Sequence, residues 1–262
     1  MSKPETMAPP LPAPPVAPAP ATALSGPDHA ADAAFGSQAM SQAREQLRRE
    51  HGDITAHKVM LDRFEARIGD GQDGYAIDAE AWVGGDIDKL WLKAEAEGTF
   101  RDSPEQAEVQ ALWSHAIDPW FNLQAGIRHD VRPDPERTHL VLGIHGLAPY
   151  WFEIDAAAFL STKGDVTGRL EAEYDQRLTQ RLILQPRVEL DLAAQDVPEI
   201  GVGAGLTSAE LGLRLRHEFI PEFAPYIGVA YERTFGATAR YRRLAGESVG
   251  AWNLLLGVRT WF

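Results

Sequence analysis

The chain has 262 residues, a formal net charge of −13 and a pI near 5.0. It contains no cysteine, which excludes a disulfide framework, a thiolate metal site and a cysteine nucleophile. No basic patch of the kind a nucleic-acid binder carries is present, and no run of about 18 apolar residues could cross a membrane as a helix.

Met1 to Glu5 lead into a proline-rich stretch without the apolar h-region of a signal peptide, which argues weakly against export; if the protein is exported, this is the mature chain with a start methionine. Residues 8–22, APPLPAPPVAPAPAT, hold nothing that builds a core and are expected to be extended, partly polyproline II. With the small polar linker that follows, residues 1–36 read as a disordered Pro/Ala-rich tail. Residues 37–50, SQAMSQAREQLRRE, are good helix formers, with Ser37 as a candidate cap. His51-Gly52-Asp53 would end this short polar helix, and residues 37–56 form the helix and its linker.

From residue 57 to 262 the pattern changes to period two. Leu182, Leu184, Pro186, Val188, Leu190 and Leu192 alternate with Ile183, Gln185, Arg187, Glu189 and Asp191. Leu211, Leu213 and Leu215 alternate with Gly212, Arg214 and Arg216. About twelve such segments follow one another, near 58–68, 75–84, 88–98, 106–116, 121–130, 138–148, 150–160, 166–176, 181–192, 207–218, 224–234 and 250–262. Joins after the even segments are short and joins after the odd ones tend to be longer. Short periplasmic turns and long extracellular loops alternate in this way in outer-membrane barrels. An even count also puts both ends on the periplasmic side. A soluble sandwich or lipocalin-like barrel shares the period but turns its charged face outward. Three features favour the membrane: strands longer than globular ones, too many for a soluble meander, and aromatics near strand ends such as Tyr75, Trp120, Tyr150, Trp151 and Trp252. The predicted fold is all-β: an antiparallel transmembrane β-barrel of about twelve strands, with the helix on its periplasmic side.

The segments HGDITAHKVMLDRFEARIGDG (51–71), WVGGDIDKLWLKAEAEG (82–98) and EVQALWSHAIDPWFNLQAGIRHD (108–130) resemble the copper resistance protein B family of Gram-negative outer membranes. So do residues 146–196, residues 205–233 and the closing GVRTWF (257–262), about the last 200 residues in all. The terminal Phe262 also resembles the signal read by the outer-membrane assembly machinery. The family resemblance implies an outer-membrane barrel concerned with copper tolerance, with copper ions, outer-membrane lipid and periplasmic copper-handling proteins as partners and no nucleic acid. Family members often carry tails with repeated methionine, histidine and aspartate. Here the tail holds only Met1, Met7, Asp28, His29, Asp32 and Met40, so a sequestering tail is not expected.

Without cysteine, a site for Cu(I) or Cu(II) must use thioether, imidazole and carboxylate. One candidate set is His129, Asp130 and His139 across a hairpin, with His145 on the strand of His139. These two histidines are six residues apart, roughly 20 Å along a strand, and cannot share an ion. The second set lies before and at the start of the barrel: Met40, His51, His57 and Met60. The bland alternatives are lumen histidines bonded to carboxylates, surface positions for Met40 and His51, and a lipid-facing Met60 in phase with Phe64 and Ala66. Mixed charges on the inner face predict a salt-bridge lattice and a narrow or plugged pore, with net negative charge favouring cations. Ser114 and His115 are adjacent and so point to opposite faces, and Glu171 and Glu173 read as lattice residues, so no enzyme is expected. The alternative to copper handling is a general diffusion or structural barrel without metal specificity.

Overall fold

The computed structural model describes residues 26–52, 54–69 and 73–262. The expectation of an extended segment at 8–22 lies outside these residues. The chain divides into two compact units, residues 1–53 and 54–262.

In the first unit, α1 (Asp32–Phe35) is followed by α2 (Ser37–His51). Ser37 is the first helical residue and not the cap. Gly36 occupies the cap position with φ +85°, a turn open to glycine between the two helices, and no side chain caps there. Arg44 reaches back to Asp32 at 2.6 Å and holds its carboxyl below the usual range. Gly52 ends α2 as its C-cap, donating to the Arg48 carbonyl.

The second unit is one closed antiparallel barrel. Its strands are β1 (Ala56–Gly69), β2 (Gly74–Gly84), β3 (Asp88–Thr99), β4 (Gln106–Ala116), β5 (Phe121–Arg132), β6 (Arg137–Ala148) and β7 (Phe152–Ser161). They continue as β8 (Val166–Tyr174), β9 (Gln176–Arg177), β10 (Leu182–Ala193), β11 (Gly205–His217), β12 (Phe223–Thr234) and β13 (Gly250–Trp261). β9 is a two-residue continuation of β8 along β10, so the ring has twelve positions. β1 pairs with β13 to close it, and Val59 and Phe262 exchange backbone hydrogen bonds at 3.1 and 2.8 Å across that seam. Closure leaves no unpaired sheet edge, which a lipid environment requires.

Most strands have eleven to thirteen residues. At ~3.3 Å per residue and a tilt of roughly 40°, that length crosses an apolar band of about 25 Å. Along each strand the outward residues are apolar and exposed, as in Leu140, Leu142 and Ile144 of β6, Leu90 and Leu92 of β3, and Leu211 and Leu213 of β11. The inward residues include Arg63, Glu65, Arg67, Arg187, Arg214 and Arg216, all buried. A soluble barrel would invert this arrangement. Aromatic pairs mark both rims: Trp120–Trp151 and Phe152–Tyr174 at the short turns, Tyr231–Trp252 and Tyr75–Phe100 at the long loops.

Two features depart from a plain meander. The join at 235–249 contains α3 (Gly236–Ala245), which packs on the loop 194–204. There Gly203 donates to Thr238 Oγ1 at 2.8 Å, and a β-carbon on Gly203 would fall 2.5 Å from Ala237 Cβ. The second is a β-bulge in β1. Leu61 faces Ala79 and Arg63 faces Asp78 on β2, so Asp62 is one residue extra. The extra residue reverses the alternation, and Met60 points inward, 7% exposed, while Phe64 points out. A lipid-facing Met60, as strict alternation from Phe64 expects, is thereby corrected.

Leu142 lies near the middle of β6 on the outer face. Leu142→Arg is expected to cost about 2–4 kcal/mol of folding free energy in lipid vesicles. Reversible urea unfolding monitored by tryptophan fluorescence measures it, and a neutral effect would contradict the lipid-facing assignment.

A charged lumen with two cavities

The inward charges sit where neighbouring strands bring opposite signs together. Glu65 is fully buried between Arg214 at 3.0 Å, Arg67 at 3.1 Å and the Tyr226 hydroxyl, which donates at 3.0 Å. Arg67 also contacts Glu210 at 3.2 Å, and Arg187 pairs with Glu171 and with Glu189. A buried charge is tolerated only when it is paired and hydrogen-bonded, which explains the density of these contacts.

Some pairs cross the lumen. Arg169 on β8 reaches Glu95 on β3 at 2.6 Å and Glu108 on β4 at 3.2 Å. Lys93 on β3 pairs with Asp155 on β7. These strands are not neighbours in the ring, so the ion pairs tie separated walls together and obstruct the waist. The wall from β3 to β7 adds an apolar cluster inside the barrel: Trp91, Leu112, Val141 and Phe159, with Arg128 stacked 4.5 Å over the Phe159 ring. The lumen is therefore partly packed, as the mixed-charge pattern predicts, but with an aromatic patch on one wall.

Two cavities stand out among the described residues. One, of about 70 Å³, lies toward the long loops and is lined by Arg63, Arg67, Arg169 and seven carboxylates. The other, of about 80 Å³, lies toward the short turns, where eight carboxylates outnumber Lys93, Arg187 and Arg259. Glu95 borders both. Along the walls of each cavity carboxylates outnumber cationic side chains.

The structure separates the residues of the first candidate metal set. Asp130 and His139 meet inside, with His139 Nε2 3.0 Å from Asp130 Oδ2. His129, next in sequence to Asp130, faces the other way and bonds to Thr138 Oγ1 at 3.0 Å. Asp130 is already held by Arg128 at 2.6 Å, and the Arg137 side chain is also buried nearby in register, so His139 sits among guanidinium groups. That field opposes a metal cation. His145 is different. It faces the short-turn cavity, 3.4 Å from Asp155 and 3.8 Å from Glu153, with its ring edge-on to Trp91 at 5.1 Å.

In the second set, Met40 and His51 belong to α2 and His57 and Met60 to β1. By alternation His57 lies on the outer face of β1, where it is exposed, and Met60 on the inner. Among the described residues, no three His, Cys, Asp or Glu side chains converge as a ready metal cage. Ser114 and His115 do point to opposite faces: Ser114 is buried, and His115 contacts Asp88 at the outer rim at 2.8 Å. Glu171 is a lattice residue through Arg187. At the long-loop rim, Arg137 and Lys163 anchor Glu199, and Arg137 also pairs with Asp165. Burial alone would raise the Asp165 carboxyl, but hydrogen bonds from Ser161 and Gln195 and the Arg137 charge hold it below its usual range.

Removing one partner of a fully buried pair, by Arg214→Ala, leaves Glu65 with only Arg67 and Tyr226 and is expected to cost about 3 kcal/mol in the same unfolding assay. Arg169→Ser cuts the cross-lumen ties from β8 to Glu95 and Glu108 and leaves Lys93–Asp155. In planar bilayers it should raise a small, cation-preferring conductance several-fold, whereas an unchanged conductance would place the constriction elsewhere.

A family profile described as copper resistance protein B precursor (CopB) matches residues 55–262. The chain is 43% identical over 212 residues to copper resistance protein B of Escherichia coli, a match covering 81% of this chain and 71% of that protein. It is 44% identical over 195 residues to a copper resistance protein B homolog of Pseudomonas syringae pv. tomato, covering 74% and 66% respectively. Among solved structures, the NanC porin aligns with a TM-score of 0.52 over 78% of this chain and 99% of that one. At 12% identity that likeness is one of fold alone. The bulge-adjusted strands, the closed twelve-position ring and the matched residues all fall within one stretch, and the chain belongs to the copper resistance protein B family.

Proposed function

We propose that this protein handles copper ions at the outer membrane of a Gram-negative cell, binding them in its lumen or passing them across the membrane, without catalysing a reaction. The observation that carries this reading is the pair of small cavities, each with carboxylates in excess, separated by a waist of cross-lumen ion pairs. Such a lumen favours a small cation and excludes large solutes. The copper in the name of its relatives supplies the identity of the cation. The apolar outer face would contact outer-membrane lipid. The short-turn end, periplasmic in barrels of this kind, would exchange copper with periplasmic copper-handling proteins.

A general diffusion barrel is the competing reading, and it requires an open aqueous channel. The two separate in one comparison. The full chain, refolded in detergent and titrated with Cu(I) and with Cu(II), is expected to bind copper stoichiometrically and far more tightly than an unrelated outer-membrane barrel. Vesicles containing it should admit copper or sodium ions but not small sugars. Equal binding by the unrelated barrel, together with free sugar entry, would replace the copper reading with general diffusion.

A further inference from the structure

Met60 is the single methionine of residues 54–262. The bulge at Asp62 turns this thioether from the lipid face into a lumen otherwise dominated by charge. Bulges recur where a strand must re-aim one side chain. The side chain arrives in the short-turn cavity, whose lining also includes His145, Glu80 and Glu173.

Each of these groups has donor capacity left. His145 Nδ1 is buried and makes no hydrogen bond, although Asp155 Oδ2 lies 3.4 Å away. A buried ring nitrogen without a partner is costly and calls for an occupant such as water or an ion. Met60 Sδ accepts a hydrogen bond from Arg259 Nη2 at 3.6 Å, which a bound ion would displace, and Asp62 at 2.7 Å offers that guanidinium its alternative partner. Glu80, which lines the same cavity, accepts from Trp91 Nε1 at 3.0 Å through one carboxylate oxygen. The cavity volume of about 80 Å³ accommodates an ion with several waters.

We infer that the cavity between Met60 and His145 is a Cu(I) site, with the Met60 thioether and the His145 imidazole as ligands and the surrounding carboxylates drawing the ion in. This inference rests on the copper reading above and gives it a place and an oxidation state. A thioether is a soft ligand that selects Cu(I) over hard cations such as Mg²⁺ and Ca²⁺. One sulfur and one nitrogen suit low-coordinate Cu(I) better than Cu(II), which favours tetragonal nitrogen and oxygen sets. The site sits in the half of the barrel nearest the short turns, so it would load and release copper on the periplasmic side.

The test uses the full chain in detergent under anaerobic conditions, with Cu(I) titrated against a chromophoric chelator and Ag(I) as a redox-inert probe. Wild type is compared with Met60→Leu, His145→Gln and the rim control His115→Gln. Met60→Leu conserves volume and should leave the fold intact, which heat-modifiable gel mobility checks. Each lumen variant is expected to weaken Cu(I) and Ag(I) binding tenfold or more, with H115Q unchanged. X-ray absorption of the copper-loaded wild type should show sulfur bound to copper, and this signal should vanish in M60L. If wild type binds Cu(I) but M60L and H145Q bind equally well and no sulfur is seen, the site is overturned while the copper reading stands. If wild type binds Cu(I) no better than an unrelated barrel, both fall.

Discussion

The structure depends on one constraint: charges turned into the lumen must find partners there, because closing the sheet removes them from both lipid and bulk water. Lipid claims the apolar face of every strand, so the charged face has no alternative but the interior. Glu65 shows the result, wholly buried yet contacted by two guanidinium groups and a phenol. The interior is a lattice because no single pair could satisfy side chains with so many donors and acceptors.

That lattice shapes the function. Pairs between adjacent strands brace the wall, whereas pairs between distant strands, such as Arg169 with Glu95, cross the bore and divide it. What remains is two small anionic chambers and an aromatic wall, an arrangement unlike an open channel for solutes. The carboxylates that outnumber the cations along the chamber walls are also the ones that form the ion pairs. Stability and cation attraction therefore draw on the same side chains.

The two lumen histidines illustrate how surroundings decide chemistry. His139 and His145 share a strand and a face, and each has a buried Nδ1 without a hydrogen bond. His139 is held through Nε2 by Asp130 within a cluster that includes Arg128. His145 looks into a chamber lined by Met60 and by eight carboxylates, most of them ion-paired. Of the two, only His145 lines one of the two cavities described.

The barrel is legible in the local pattern of the chain. Period-two alternation over strand-length segments, short joins alternating with longer ones, and aromatics at the ends follow from lipid outside and hydrogen-bond closure, both of which act residue by residue along the chain. The family resemblance was equally legible in the segments from 51 to 262. What only the tertiary structure decided are features set by pairing between strands. The bulge that turns Met60 inward arises from register against β2 and β13, and a strict count back from Phe64 misplaces it. His129 fails to join Asp130 and His139 for a simpler reason, visible in the sequence: adjacent residues on a strand face opposite ways. The helix α3 in the join at 235–249 is stabilised by packing on the loop 194–204, a contact between segments far apart in the chain. Which charges cross the bore, and which face an empty chamber, depends on how far the closed ring staggers its strands. Alternation along one strand carries no information about that stagger.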